Sequence, residues 1–104
     1  QGVKRSVTWS REALDDIKVQ VKHIAKDSPP AATRVADRIR DAGKALGDMA
    51  TGRPGRVTGT YEKSVARLPY IIAYELRDMA GRESVVIVRV IHTSLDWQPE
   101  EWPH

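Results

Sequence analysis

Residues 70–92 read YIIAYELRDMAGRESVVIVRVIH, and the alternation in this stretch decides the fold. Apolar side chains at every second position mark strands with one face on a core. In the first half, Tyr70, Ile72, Tyr74 and Leu76 share a face opposite Ile71, Ala73, Glu75 and Arg77. In the second half, Val86, Val88, Val90 and His92 oppose Val85, Ile87, Arg89 and Ile91. The spacing predicts strands over 70–77 and 84–92. A longer hairpin loop at Asp78–Arg82, containing Gly81, joins them. The second strand is apolar on both faces, which places it centrally in a sheet.

Upstream, Leu68-Pro69-Tyr70 reads as a tight reversal after a further strand over Ser64–Leu68. Gly52 to Thr60 is rich in Gly, Pro and Thr and reads as turns with a short strand. It lacks the glycine and Lys-Ser/Thr spacing of a phosphate loop, and no strand precedes it.

Before Thr51 the period is helical. Leu14, Ile17, Val21 and Ile24 form one apolar stripe, with Ser10 as N-cap and Glu12, Asp15 and Asp16 read as first-turn acids favoured by the helix dipole. This predicts a helix over 11–26. Asp27-Ser28-Pro29-Pro30 interrupts it, and Ser28 caps a second helix with stripe residues Ala32, Val35, Ala36, Ile39, Ala42, Gly43 and Leu46. The short connection makes the pair an antiparallel hairpin. Val3-Lys4-Arg5-Ser6-Val7-Thr8-Trp9 alternates as an edge strand, with Arg5 breaking its apolar side. The order β, α, α, then three or four β predicts an α+β domain: an N-terminal strand, and an antiparallel helical hairpin on one face of a mainly antiparallel sheet of four to five strands.

Length and composition agree. The 104 residues suffice for one domain, 1–104, and are 40% apolar and 30% charged. No apolar run approaches the roughly 18–20 residues of a membrane helix. Cysteine is absent, which excludes disulfides and thiol nucleophiles and fits a reducing cytosol. His23, His92 and His104 are too scattered for a metal cluster. The opening Gln1-Gly2, without Met, reads as a remnant outside the fold, and nothing resembles a signal peptide. Net charge is +3 from 17 basic and 14 acidic residues, and the tail 93–104 holds Asp96, Glu100 and Glu101 with no Lys or Arg. Such a balance permits an acidic partner without demanding nucleic acid.

With one face covered by the helices, the other is expected to expose some of Arg56, Tyr61, Arg67, Tyr74, Arg77, Arg89 and His92. Arg and Tyr combine large contact area with hydrogen bonding, which suits a protein partner. Trp9 and Trp97 join that partner-binding set. With a phosphate ligand, Arg67, Arg77 and Arg89 would stabilise developing charge and His92 would serve as general acid or base in RNA cleavage. Each residue also has a plain structural reading. His92 would be a strand-end histidine with its polar tip bonded, Arg89 half of an ion pair with Glu75, Tyr70 and Tyr74 core, Trp9 core, and Trp97 an anchor. No carboxylate pair, Ser/His/Asp set or metal-ligand spacing stands out.

Several strings, in order, resemble the ParE branch of the ParE/RelE superfamily of toxins. They are Val7-Thr8-Trp9-Ser10-Arg11-Glu12-Ala13-Leu14-Asp15-Asp16-Ile17, Gly55-Arg56 with Gly59-Thr60-Tyr61-Glu62, Leu68-Pro69-Tyr70-Ile71-Ile72-Ala73-Tyr74, and Val88-Arg89-Val90-Ile91-His92 followed by Trp97. The resemblance implies a bacterial cytoplasmic toxin that inhibits DNA gyrase and arrests growth. It implies neutralisation by a ParD-like antitoxin in a hetero-oligomer of 2:2 stoichiometry or higher. It implies no cofactor, no membrane contact, and no sequence-specific DNA binding by this chain. The alternative within the superfamily is a RelE-like ribosome-dependent mRNA endoribonuclease. Two positions depart from the pattern: Tyr61 and Leu95 stand where the family often has Arg. The loss of these basic groups weakens the ribonuclease reading more than the gyrase reading.

Overall fold

The computed structural model describes residues 5–94. Strand β1 (Val7–Trp9) leads into helix α1 (Arg11–Ala25), then α2 (Pro29–Asp48), β2 (Arg53–Pro54), β3 (Tyr61–Ser64), β4 (Tyr70–Met79) and β5 (Arg82–His92). Both helices start where the hydroxyl caps predict. Ser10 Oγ accepts from the Ala13 amide at 3.0 Å and Ser28 Oγ from the Ala31 amide at 3.3 Å, each satisfying one otherwise orphaned donor. A link at 26–28 folds α2 against α1.

The sheet order is β1-β5-β4-β3-β2, with β1 parallel to β5 and every other pair antiparallel. As expected, β1 is an edge strand and β5 is internal. Three local expectations change. The β4–β5 connection is not a long loop: the ladder runs to Met79 opposite Arg82, and Ala80-Gly81 turn with φ of 56° and 79°. Positive φ at both turn residues matches the twist of the flanking strands, and glycine adopts it without steric cost. The strand expected at 64–68 lies instead at Tyr61–Ser64. Arg67, at φ 64°, cannot continue a strand, and Leu68 N–H donates back to the Val65 carbonyl at 3.2 Å. On α1 the fully buried residue is Ala13, whereas Leu14 is 46% exposed, so the buried stripe begins one position earlier than its apolar spacing suggests.

A β-bulge alters the faces of β5. Ala73 pairs with Arg89 and Tyr74 with Ile87, which leaves Val88 as the extra residue. Val90 therefore joins Val85 and Ile87 in the core, and Ile91 joins Val86 and Val88 on the other side. The simple alternation read from the sequence had placed Val90 with Val86 and Val88.

The main core lies between helices and sheet: Tyr74, Ile39, Leu46, Ile72, Ile87 and Val85 are its largest fully buried side chains. Gly43 lets α2 approach closely, because a Cβ there would collide with the Trp9 ring and Ile87. The second face is not bare. Ala73, Val86, Val88 and Ile91 are only 1–8% exposed, and Val57, from the segment between β2 and β3, packs against them.

Candidate functional site

The end of the sheet that holds His92 is closed by backbone hydrogen bonds. Tyr70 pairs with His92 in the ladder. The Val65 amide donates to the Tyr70 carbonyl at 2.9 Å and the Thr93 amide to the Pro69 carbonyl at 2.9 Å. The His92 ring stands edge-on to Tyr70, with centroids 5.2 Å apart at 87°. Tyr70 is itself held, its hydroxyl donating to Gln20 Oε1 of α1 at 3.2 Å. Exposed Arg67 stands in the turn between β3 and β4, within the loop whose Pro69 carbonyl is tied to Thr93. The structure thus brings Arg67 and His92 to one end of the sheet.

Arg89 and Arg77 are committed elsewhere. Arg89 Nε and Nη2 donate to the two oxygens of Asp16 at 2.8 and 3.1 Å, and Asp16 Oδ2 also accepts the Val90 amide at 2.9 Å. Past Ile87, β1 no longer accompanies β5. There the Asp16 carboxylate takes Val90 N–H and the Ser10 hydroxyl donates to the Val88 carbonyl at 3.0 Å. Two α1-proximal side chains so satisfy backbone groups that a neighbouring strand would otherwise pair. Glu75, the expected partner of Arg89, instead takes Arg77, with Nη2 at 2.6 Å. Arg77 pairs with Ser84, eight residues along β5 from His92, a separation of roughly 27 Å at about 3.4 Å per residue.

Two of the expected surface residues prove structural. Tyr74 is 0% exposed, its hydroxyl accepting from the Gly52 amide at 2.8 Å. Burial raises its pKa above the ordinary 10.0, outweighing the opposing Gly52 hydrogen bond. Tyr61 is half-buried and stacks on it, centroids 5.6 Å apart at 23°. Trp9 is half-buried against the main core beneath α2. Neither Trp9 nor Tyr74 therefore stands on an open face. Trp97 lies outside the described residues.

Arg56 is the third engaged cation. Its amide and Nε donate to Glu62 Oε2 at 3.0 and 3.1 Å. Burial pushes the Glu62 carboxyl up, but the Arg56 bonds and charge, with Arg53 behind them, hold it below the ordinary 4.5. Among the described residues no group of three or more His, Cys, Asp or Glu is placed to hold a metal ion, and no helix is long and apolar enough to cross a membrane.

Three structural partners went unrecognised in the sequence. Asp16 reads there as a helix-dipole acid and Gly52 as a loop residue, while Gln20 draws no reading at all. Asp16 lies six residues past the Ser10 cap, nearly two turns into the helix and beyond its first turn.

Comparison with known proteins adds independent findings. A family profile described as the ParE toxin of the type II toxin–antitoxin system parDE matches residues 7–97. The toxin candidate Y4kP of Sinorhizobium fredii is 37% identical over 95 residues, covering 90% of this chain and 94% of that protein. Toxin RelE2 of Caulobacter vibrioides is 33% identical over 88 residues, covering 85% and 94%. Among solved structures, a chain of the chromosomal ParDE system of P. aeruginosa superposes with a TM-score of 0.75 at 22% identity, over 86% of this chain and 96% of that one. A chain of the RelBE2 toxin–antitoxin complex of Mycobacterium tuberculosis gives 0.53 at 26% identity, over 86% and 99%.

Proposed function

The chain belongs to the ParE toxin family of type II toxin–antitoxin systems, within the ParE/RelE superfamily, and from that premise we propose that it arrests bacterial growth by binding and inhibiting DNA gyrase in the cytoplasm, with no catalytic chemistry of its own. The observation that carries this reading is the dispersal of the ribonuclease set. Arg77 lies at the far end of the sheet from His92 and is held by Glu75, while Arg89 is held by both oxygens of Asp16. Stabilising a phosphorane-like charge needs cations converging on one point, and ion-paired arginines offer little free charge. Of the three arginines, only Arg67 shares the His92 end with its guanidinium outside those ion pairs.

Neutralisation falls to a ParD-like antitoxin in a hetero-oligomeric complex. A flexible antitoxin segment gains free energy by folding on a rigid surface with apolar anchors. The helical hairpin supplies such anchors, since α1 leaves Leu14 46% and Val19 63% exposed.

The test is to add purified protein to gyrase supercoiling and, separately, to ribosome-programmed mRNA. Loss of supercoiling with intact mRNA is the expected result. The second reading, a RelE-like mRNA endoribonuclease, draws on the 33% identity to a protein called RelE2. Cleavage of mRNA in the ribosomal A site, abolished by His92→Ala, would establish it instead.

A further inference from the structure

We propose that His92 acts as a hydrogen-bond donor of fixed tautomer, offering its Nε2–H to an acceptor oxygen on the protein that the toxin inhibits, and that Ser94 is the residue fixing it. The proposal rests on the reading of the chain as a toxin that binds a protein target, and it gives that surface a specific polar contact.

One donor at the His92 ring cannot change role. The Ser94 backbone amide lies 3.1 Å from His92 Nδ1, and a backbone N–H only donates. Nδ1 must therefore present its lone pair, so the neutral ring carries its proton on Nε2. The Ser94 hydroxyl, 2.6 Å from the same Nδ1, reinforces this by donating. The ring plane is set independently by the edge-on contact with Tyr70, which is only 3% exposed and whose hydroxyl is held by Gln20. The strand end is pinned by the Thr93 amide on the Pro69 carbonyl.

Two chemical consequences follow. A general base needs a bare nitrogen facing its proton source, yet the nitrogen not turned to Ser94 is the one bearing hydrogen. As a base, His92 would first have to give up the Ser94 amide. As a donor it needs no rearrangement. Among the described residues no hydrogen bond to Nε2 is present, and His92 is half-exposed. A neutral, oriented donor suits a protein carbonyl or carboxylate, and a preorganised one costs less ordering on binding.

The test has two arms on the full chain. Long-range nitrogen–proton NMR of the imidazole in the purified toxin should show Nε2 protonated and Nδ1 bare. Ser94→Ala, which keeps the amide, should preserve that pattern, whereas Ser94→Pro, which removes it, should give mixed tautomers. In the second arm, gyrase inhibition is measured for His92→Gln, His92→Asn and His92→Ala, each checked for wild-type thermal stability. The Gln amide nitrogen reaches the place of Nε2 and the Asn amide that of Nδ1. The Gln variant should inhibit within about twofold of wild type, while Asn and Ala should need about tenfold more protein, the loss expected for one hydrogen bond. A ring protonated at Nδ1 overturns the proposal whatever the toxin's target. So does a folded Gln variant as weak as Ala. If wild type leaves gyrase untouched while the ring carries its proton on Nε2, the functional reading has failed, and the donor role towards that target fails with it.

Discussion

The two faces of the sheet are built on different physical terms. Beneath the helices, Tyr74, Ile39, Leu46, Ile72 and Ile87 are fully buried, so the face is held by bulky side chains closing on one another. On the opposite face the buried residues are Ala73, Val86, Val88 and Ile91, without an aromatic ring among them, and Val57 reaches them from a segment anchored by the Arg56–Glu62 pair. The first face depends on volume and the second on a polar clasp. Mutation and pH should therefore act on them differently.

The largest effect is expected on the helix side. Ile87→Ala removes a fully buried side chain at the point where α2, Trp9 and β5 meet, and should cost about 3–4 kcal/mol in urea unfolding. A loss below 1 kcal/mol would mean that the two faces do not differ in this way. Next comes the rim between them. Asp16→Ala strips Arg89 of its carboxylate and orphans the Val90 amide, for an expected loss of about 2–3 kcal/mol. Amide exchange at Val90 should accelerate while β4 stays protected.

On the second face the magnitudes fall and pH enters. Glu62→Gln should cost about 1 kcal/mol at neutral pH. The folded carboxyl titrates below its ordinary 4.5, so the unfolded chain binds more protons over that interval. The stability it contributes is complete above 4.5 and drains away as pH falls through the lower folded value. The wild type should thus lose stability there and the Gln variant should lose less, a difference visible as converging melting temperatures in acid. Smallest of all, Val57→Ala should cost about 1 kcal/mol or less, because Val57 is only half-buried. Loss of the whole fold by this change would show that the second face is as much a foundation as the first.

Much of the architecture was legible because short-range chemistry writes it. Ser10 and Ser28 announce the helix starts, the residue period marks where helices give way to strands, and the doubly apolar run after Ser84 marks an internal strand. The errors arose where one residue's backbone overrides the pattern. Arg67 in the left-handed region ended a strand that its neighbours could have continued. The two-residue turn at Ala80-Gly81 was hidden among polar residues that also suit a longer loop. The partner of Arg89 was misjudged because Glu75 is near in the presumed ladder, while Asp16 is distant in sequence and is brought close only by the path of α1 along β5. Of the candidate site, the exposed arginines and His92 were visible by residue type. The burial of Tyr74 and the role of Ser94 depend on contacts that no spacing encodes.

The additional residue at Val88 bears on how homologous chains should be aligned. Deleting one position there would restore strict alternation and leave everything downstream, His92 included, on the side it now occupies, because Arg89 would still pair with Ala73 and His92 with Tyr70. A relative shorter by one in this segment would therefore still hold its histidine in the same spatial place, although alternation counted from Ile87 would then run without a break. The partner on β4, rather than alternation counted along β5, is what tells whether two family members share that feature.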